Sequence, residues 1–364
     1  MKIKRKYERK EIRKMKTKEE IKNSVVDFIS TIKKEPCCKY FLPDETGTVE
    51  KVIWGDEKIY KDALYQGYLD ACRTIHWSTK ASFPKGKDLL KRKEDWDRNK
   101  SVEKENPMRE PLTGVAEELK EYFKADKKFD DQYYHWCREI IYSYEDYLEG
   151  GITYGQAQKI INMAFKYLYC ICDQCEEGEV YKKKFKACHM PLDSYSLEWF
   201  KRKFKKDDFL ISESYSKNSK KLQENLFTKD KNLKAESIGS WSSMKSWNDS
   251  GNQIANVYSG KTYPYEFYQT VIKKYCEEYS KEKNWEEQIT PLQLDFIVWP
   301  KMQKIMAAEA FIKAFEEDDD NWVQKAMEKE TYNINELDEI LKKRLIKIRP
   351  LVCDGTDSQI CKKK

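Results

Sequence analysis

The chain has 364 residues, of which 40% are hydrophobic, 36% charged and 13% aromatic, and its formal net charge is +6. This composition is too aromatic for a disordered protein and supplies enough apolar residues for a substantial core. No apolar run is long enough to cross a bilayer, and the lysine-rich start lacks the apolar stretch of a secretory signal. We therefore expect a cytoplasmic protein with no membrane partner and with reduced cysteines.

The predicted elements are nearly all helices. Residues 1–110 are interpreted as a basic N-terminal helical region with a polar connection, in which residues 47–54 alternate and are the best strand candidate. Residues 111–211 are predicted to form a helical core, and residues 212–263 a polar insertion or lid. Residues 264–350 are predicted as C-terminal helices that pack on the core. The predicted fold class is mainly α, a helical bundle with a helix-hairpin-helix-like core and at most a small β element.

The predicted core contains a helical hairpin. A Gly-Gly pair ending at Gly151 separates two helical segments by only a few residues, which favours antiparallel packing. Thr153 and Gln156 have the spacing of a capping box, so the second helix of the hairpin is predicted to begin there. A later Pro-Leu-Asp sequence ending at Asp193 predicts the start of another helix, with Asp193 as its N-cap.

The second helix of the hairpin has an apolar stripe with a lysine at its border. Lys159 shares a face with Gly155, whose small size allows another group to approach closely. We expect the Lys159 amine to be partly desolvated, which is how lysines are used as nucleophiles. Taken alone, Lys159 fits a solvated lysine and Asp193 an ordinary cap; together they are a candidate catalytic pair. The stripe is formed by Ala157, Ile160, Ile161, Ala164, Phe165 and Leu168.

This arrangement resembles the helix-hairpin-helix DNA glycosylase superfamily. The sequences KIIN (159–162) and MPLDSYSL (190–197) carry the likeness, which covers about residues 130–205. The long interval between lysine and aspartate is nearest to the archaeal 8-oxoguanine glycosylases, whereas the loop EGGITYGQ departs from the family's Gly-hydrophobic-Gly loop. The resemblance implies that Lys159 attacks the sugar C1′ and forms a Schiff base. It also implies that Asp193 stabilises the oxocarbenium-like charge and helps to activate the lysine.

Such an enzyme flips its target base out of double-stranded DNA, which requires cations for phosphates and an aromatic ring for the base. Residues 182–206 hold nine basic residues and two acidic ones. The candidate DNA-binding residues are Gly151, Gly155, Gln156, Lys166, Lys182, Lys183, Lys184 and Lys186. The candidates for stacking on the base are Trp136, Trp199, Trp241 and Trp247.

A structural zinc site is the one cofactor that the sequence suggests. Cys172, Cys175, Cys188 and His189 could close a tetrahedral site, although a lone C-x-x-C fits redox chemistry or chance equally well. The catalytic pair itself requires no cofactor. The chain has no P-loop, nucleophile-elbow or dinucleotide-binding motif, and late carboxylates such as Asp295 have surface-like spacing.

The leading hypothesis is a DNA N-glycosylase, possibly with lyase activity, that acts on modified or foreign (phage) DNA. Lys159 would be its nucleophile and Asp193 its carboxylate. The alternative is a non-enzymatic helical protein that binds nucleic acid or another protein in a phage-defence or mobile-element system. In that case the same lysines would provide only salt-sensitive affinity.

Overall fold

The computed structural model describes residues 19–32, 36–44, 46–75, 107–148, 151–175, 178, 180–204, 240–246, 264–283 and 287–316. These residues are mainly helical and include no strand, which confirms the predicted mainly α class. The chain divides into two compact units after Phe296, and of the second unit only the helical residues 297–316 are described. None of the described helices is both long enough and apolar enough to span a membrane.

Eight α-helices are found in the described residues. Short 3-10 segments include Cys38–Tyr40, Pro107–Leu112, Lys182–Phe185 and Trp241–Ser243. The helices are α1 (19–31), α2 (Glu57–Ala71), α3 (Thr113–Lys124), α4 (Phe129–Ser143), α5 (Tyr154–Gln174), α6 (Ser194–Lys203), α7 (Tyr265–Glu282) and α8 (Pro291–Glu316).

Helix α5 is the centre of the fold. The predicted capping box of Thr153 and Gln156 starts it, and its predicted apolar stripe is completely buried. Gly67 of α2 lies directly against the backbone carbonyl of Ile160, where any Cβ would overlap. The expectation of one buried face was nevertheless wrong, because almost every residue from Tyr154 to Cys172 is buried. A helix surrounded in this way must satisfy its polar side chains within the protein.

The connection before α5 differs from the predicted tight hairpin. Helix α4 ends at Ser143, and the connection extends to Thr153. It is long because Tyr144 and Tyr147 turn inward and are buried instead of continuing the helix. Gly151 has a φ of +67°, a left-handed conformation that favours glycine.

The strand candidate at residues 47–54 forms turns and irregular structure. Asp44 accepts hydrogen bonds from the backbone amides of Thr46 and Thr48, so the segment folds back on itself instead of pairing with a strand. Nearby, the completely buried carboxylate of Asp62 on α2 accepts a hydrogen bond from Tyr40 and pairs with Arg109. Asp62 thereby ties two 3-10 segments to α2.

Of the helices predicted for residues 264–350, those before residue 317 are present as α7 and α8, and the rest of this range lies outside the described residues. Pro300, interpreted from the sequence as a kink or break, lies inside α8, which continues to Glu316. Most of the predicted insertion 212–263, including Trp247, lies outside the described residues, as do residues 1–18, 76–106 and 317–364. From the insertion, only residues 240–246 are described.

Candidate active site

Lys159 and Asp193 are brought together by the ends of two helices. Lys159 lies in the second turn of α5, and Asp193 is the N-cap of α6. The Asp193 Oδ1 atom accepts hydrogen bonds from the backbone amides of Tyr195 and Ser196, at 2.9 and 3.0 Å. The Oδ2 atom lies 3.7 Å from the Nζ of Lys159. The cap and the ion pair therefore use different oxygens of one carboxylate.

Residues 240–246 cover this pair. The Lys159 ammonium lies 4.6 Å from the ring centroid of Trp241, within the range of a cation–π interaction. The side chains of Lys159 and Asp193 are only 10% and 8% exposed. Gly155 donates its backbone amide to the Met244 carbonyl, and a Cβ at Gly155 would overlap the Trp241 carbonyl oxygen. The glycine thus allows the segment to lie on α5 beside the lysine.

A second ion pair lies farther along α5. The Nζ of Lys166 is 2.5 Å from Asp295 Oδ2, and the two side chains are 0% and 1% exposed. Burial raises the pKa of Asp295 to about 6; Lys166 opposes this rise, and the negative charge of Asp193 adds to it. Lys159, Asp193, Lys166 and Asp295 are referred to below as the buried charge cluster.

Asp295 is the residue of this cluster that sequence reasoning missed. Its spacing was interpreted as that of a surface carboxylate, but it is buried. The signal that could have identified it is its position inside the apolar sequence PLQLDFIVW, where an isolated acid requires a partner. Lys166 was predicted to contact DNA, which is wrong for this structure because its ammonium is buried against Asp295 and the ring of Phe28.

The other predicted DNA-binding residues fall into two groups. Gln156 and Lys184 are buried: Gln156 donates to the Thr74 carbonyl and Lys184 to the Ala125 carbonyl, so both stabilise the fold. Lys182 is partly exposed and lies 3.5 Å from Asp173. The exposed lysines are Lys183 and Lys186, and Gly151 is partly exposed.

Of the four tryptophans predicted to stack on a base, only Trp241 contacts the lysine–aspartate pair in the described part of the chain. Trp136 is completely buried among Tyr122 and Phe165, which corrects its prediction, because this ring is part of the core. Trp199 is partly exposed and packs edge-on against Tyr275.

The predicted zinc ligands are not assembled into a site. The Cys172 thiol donates to the carbonyl of Gly178, the Cys188 thiol to that of Lys184, and His189 Nδ1 is hydrogen-bonded to the Tyr265 hydroxyl. Across the described residues, no three His, Cys, Asp or Glu side chains are grouped so that they could hold a metal ion.

Comparisons with protein-family models, with curated proteins and with solved structures find no match for this chain. The likeness to the helix-hairpin-helix glycosylases therefore depends on the sequence motifs around Lys159 and Asp193. The geometry of these two residues is the independent observation on which a function can be proposed.

Proposed function

We propose that the protein is a DNA base-excision enzyme in which Lys159 is the nucleophile and Asp193 is its carboxylate partner. The observation that supports this most is the separation of 3.7 Å between the Lys159 amine and the Asp193 carboxylate. An amine beside a carboxylate, both nearly buried, provides a nucleophile and a proton acceptor for displacement at a sugar carbon. In this proposal the enzyme works in the cytosol on modified or foreign DNA.

The chemistry follows from the two side chains. Lys159 must release a proton before it attacks, and the Asp193 carboxylate can accept it. The nitrogen lone pair then forms a bond to C1′ while the glycosidic bond breaks, and the bonding electrons leave with the base, which takes up a proton. Opening of the sugar ring gives a Schiff base, and water hydrolyses it to return the amine. When Asp193 transfers the proton from Lys159 to the departing base, it is again a carboxylate, and its negative charge then stabilises the cationic Schiff base at C1′.

For DNA to reach Lys159, the Trp241 ring must move away from the Lys159 ammonium. The ring covers the amine through a cation–π contact, whose strength is about 0.5–2 kcal/mol, small enough for DNA binding to displace it. The displaced indole would then be available to stack on the extruded base. Lys183 and Lys186, which are exposed, would contact phosphates.

A second candidate function is favoured by the limited exposure of the pair. Side chains that are only 10% and 8% exposed also suit an ion pair that fixes the start of α6. The protein would then be a non-enzymatic helical protein that binds nucleic acid or a protein partner in a phage-defence or mobile-element system. Lys183 and Lys186 would supply salt-sensitive affinity without turnover.

The decisive experiment is borohydride trapping on a panel of duplexes that each carry one modified base. We expect the wild-type chain to form a covalent adduct and Lys159→Arg, which keeps the charge, to form none. Asp193→Asn keeps a good N-cap and should slow excision by about 100-fold or more. The matched control Lys183→Ala should weaken binding while preserving trapping at saturation. An adduct that persists in Lys159→Arg would refute the assignment, and binding without turnover on every duplex would favour the second candidate.

A further inference from the structure

A cavity of about 260 Å³ is lined mainly by residues of α4, of α7 and of the segment 186–189. Its volume is slightly below the range of roughly 300–1,000 Å³ that is usual for drug-sized ligands, so it suits a single small ring system. Neither Lys159 nor Asp193 lines it. The residues used below to define this tyrosine pocket are Asp130, Tyr133, Tyr134, Tyr154, His189 and Tyr265.

The hydrogen bonds around Tyr265 indicate which ring nitrogen of His189 carries the hydrogen. The Tyr265 hydroxyl accepts from the Tyr133 hydroxyl at 2.8 Å and from the Asn162 amide at 2.9 Å. Both of its lone pairs are then used, so its single hydrogen is donated to His189 Nδ1, 2.9 Å away. Nδ1 is therefore an acceptor, and the neutral imidazole carries its hydrogen on Nε2.

The other ring nitrogen of His189, Nε2, is a hydrogen-bond donor that lies near the Asp130 carboxylate. His189 Nε2 lies 3.8 Å from Asp130 Oδ1, which is too far for a direct hydrogen bond. The Asp130 side chain is 69% exposed, so its carboxylate can turn toward a ligand. The pocket therefore presents an N–H donor, His189 Nε2, and a carboxylate acceptor, Asp130. Their separation suits two neighbouring hydrogen bonds to one edge of a planar ring.

We propose that the tyrosine pocket binds a nucleobase with a lactam edge, in which a ring N–H lies next to a carbonyl. The carbonyl would accept from His189 Nε2 and the ring N–H would donate to Asp130, which is recognition of a Watson–Crick edge. Tyr133, Tyr154 and Tyr265 are buried with their rings packed against one another, so the partly exposed ring of Tyr134 is the one against which a planar base would pack. Guanine, hypoxanthine, uracil and thymine carry this pattern on the Watson–Crick edge, whereas adenine and cytosine have no ring N–H on that edge.

The charges around the pocket agree with a neutral ring. Two lysines, Lys186 and Lys273, and two carboxylates, Asp130 and Glu266, line it. Their formal charges balance, so no strong field selects for a polyanion. The same edge is present on a free base or nucleoside and on an unpaired base in a nucleic acid. The inference does not depend on the proposed excision reaction, because it uses neither Lys159 nor Asp193.

The test is calorimetric titration of the full chain with inosine, 1-methylinosine and adenosine. Inosine should bind, whereas 1-methylinosine, which lacks the ring N–H, and adenosine should each bind at least tenfold more weakly. Asp130→Ala should weaken inosine binding by at least tenfold, and the neighbouring exposed control Asp131→Ala should not. Equal affinity for inosine and adenosine, no binding of inosine at millimolar concentration, or an unaffected Asp130→Ala variant would each overturn the proposal.

A second titration distinguishes a free base or nucleoside from a base in a nucleic acid as the ligand of the tyrosine pocket. A single-stranded oligonucleotide with one inosine should bind more tightly than inosine if the pocket takes bases from nucleic acid, and no more tightly if it takes free bases. In both cases Asp130→Ala must reduce the affinity. The Lys159→Arg variant separates this proposal from base excision, because it should retain inosine binding while losing any covalent adduct.

Discussion

The carboxylate of Asp193 holds the start of α6 with one oxygen and faces the ammonium of Lys159, 3.7 Å away, with the other. A residue that caps a helix in this way can have a structural and a chemical role at once. Substitutions that remove one role and preserve the other therefore separate the two.

The first prediction concerns the cap. Asp193→Ala removes the acceptor for the amides of Tyr195 and Ser196 and should lower the free energy of unfolding by about 1 kcal/mol. Asp193→Asn keeps an acceptor oxygen and should change stability much less. Urea unfolding of both variants checks this expectation. If the two lost the same stability, the ion pair with Lys159 would be the dominant contribution.

The second prediction concerns the cover over Lys159. Gly155→Ala places a methyl group against the Trp241 carbonyl and should displace residues 240–246 from α5. Lys159 should then react faster with an amine reagent, as measured by mass spectrometry of the labelled peptide. Gly114→Ala is the matched control, because its Cβ would enter open space and should stabilise α3 by about 1 kcal/mol. Unchanged labelling of Lys159 in Gly155→Ala would show that another group protects the amine.

The third prediction concerns the ion pair of Lys166 and Asp295. Asp295→Leu leaves a buried ammonium without its carboxylate and should cost about 3–5 kcal/mol of unfolding free energy. The double variant Lys166→Met/Asp295→Leu removes both charges and should recover most of that loss. Chemical denaturation of the single and double variants tests the coupling. Simple additivity of the two substitutions would contradict it.

The fourth prediction is the pH dependence that arises from Asp295. Burial raises its pKa from 3.8 to about 6, so the folded state holds this proton more tightly than the unfolded state. The stability contributed by the protonated form is fully present below pH 3.8 and is lost as the pH rises through about 6. Thermal unfolding between pH 4 and 7 should show this loss in the wild type and not in Asp295→Asn.

The fifth prediction has the opposite sign and concerns His189. Burial and, to a smaller extent, the positive charge of Lys273 lower its pKa from 6.5 to about 3. The stability contributed by the neutral ring is present above pH 6.5 and is lost as the pH falls toward 3. His189→Gln should remove this acid-dependent loss, which unfolding curves recorded at pH 7 and pH 4 would reveal. An identical pH slope in the variant would assign the loss to other groups.

Local sequence signals predicted the helices well. The capping residues Thr153 and Asp193 marked the starts of α5 and α6 because a side chain that satisfies nearby amides acts within one turn. The 3.6-residue stripe of α5 identified its buried core positions. The pairing of Lys159 with Asp193 came from the family resemblance and not from these local signals; in the structure their charged groups lie 3.7 Å apart.

Contacts between distant parts of the chain could not be predicted in the same way. The burial of Lys166 depends on Asp295, which lies on α8, and no local pattern indicates that pairing. The aromatic character of Trp136 fitted a base-stacking role and a core role equally, and the packing of Tyr122 and Phe165 around it decided for the core. Pro300 was interpreted as a kink or a break; α8 contains it without ending there, which excludes the break.

Because α5 is enclosed by its neighbours, the reactivity of the cysteines on it can report when the surrounding helices separate from it. Cys170 is completely buried on this helix, whereas Cys175, at its C-terminal end, is partly exposed. A maleimide added to the native protein should therefore modify Cys175 rapidly. Cys170 should be modified only when the neighbouring helices separate. The ratio of the two modification rates would measure the free energy of that separation in any variant, without denaturant.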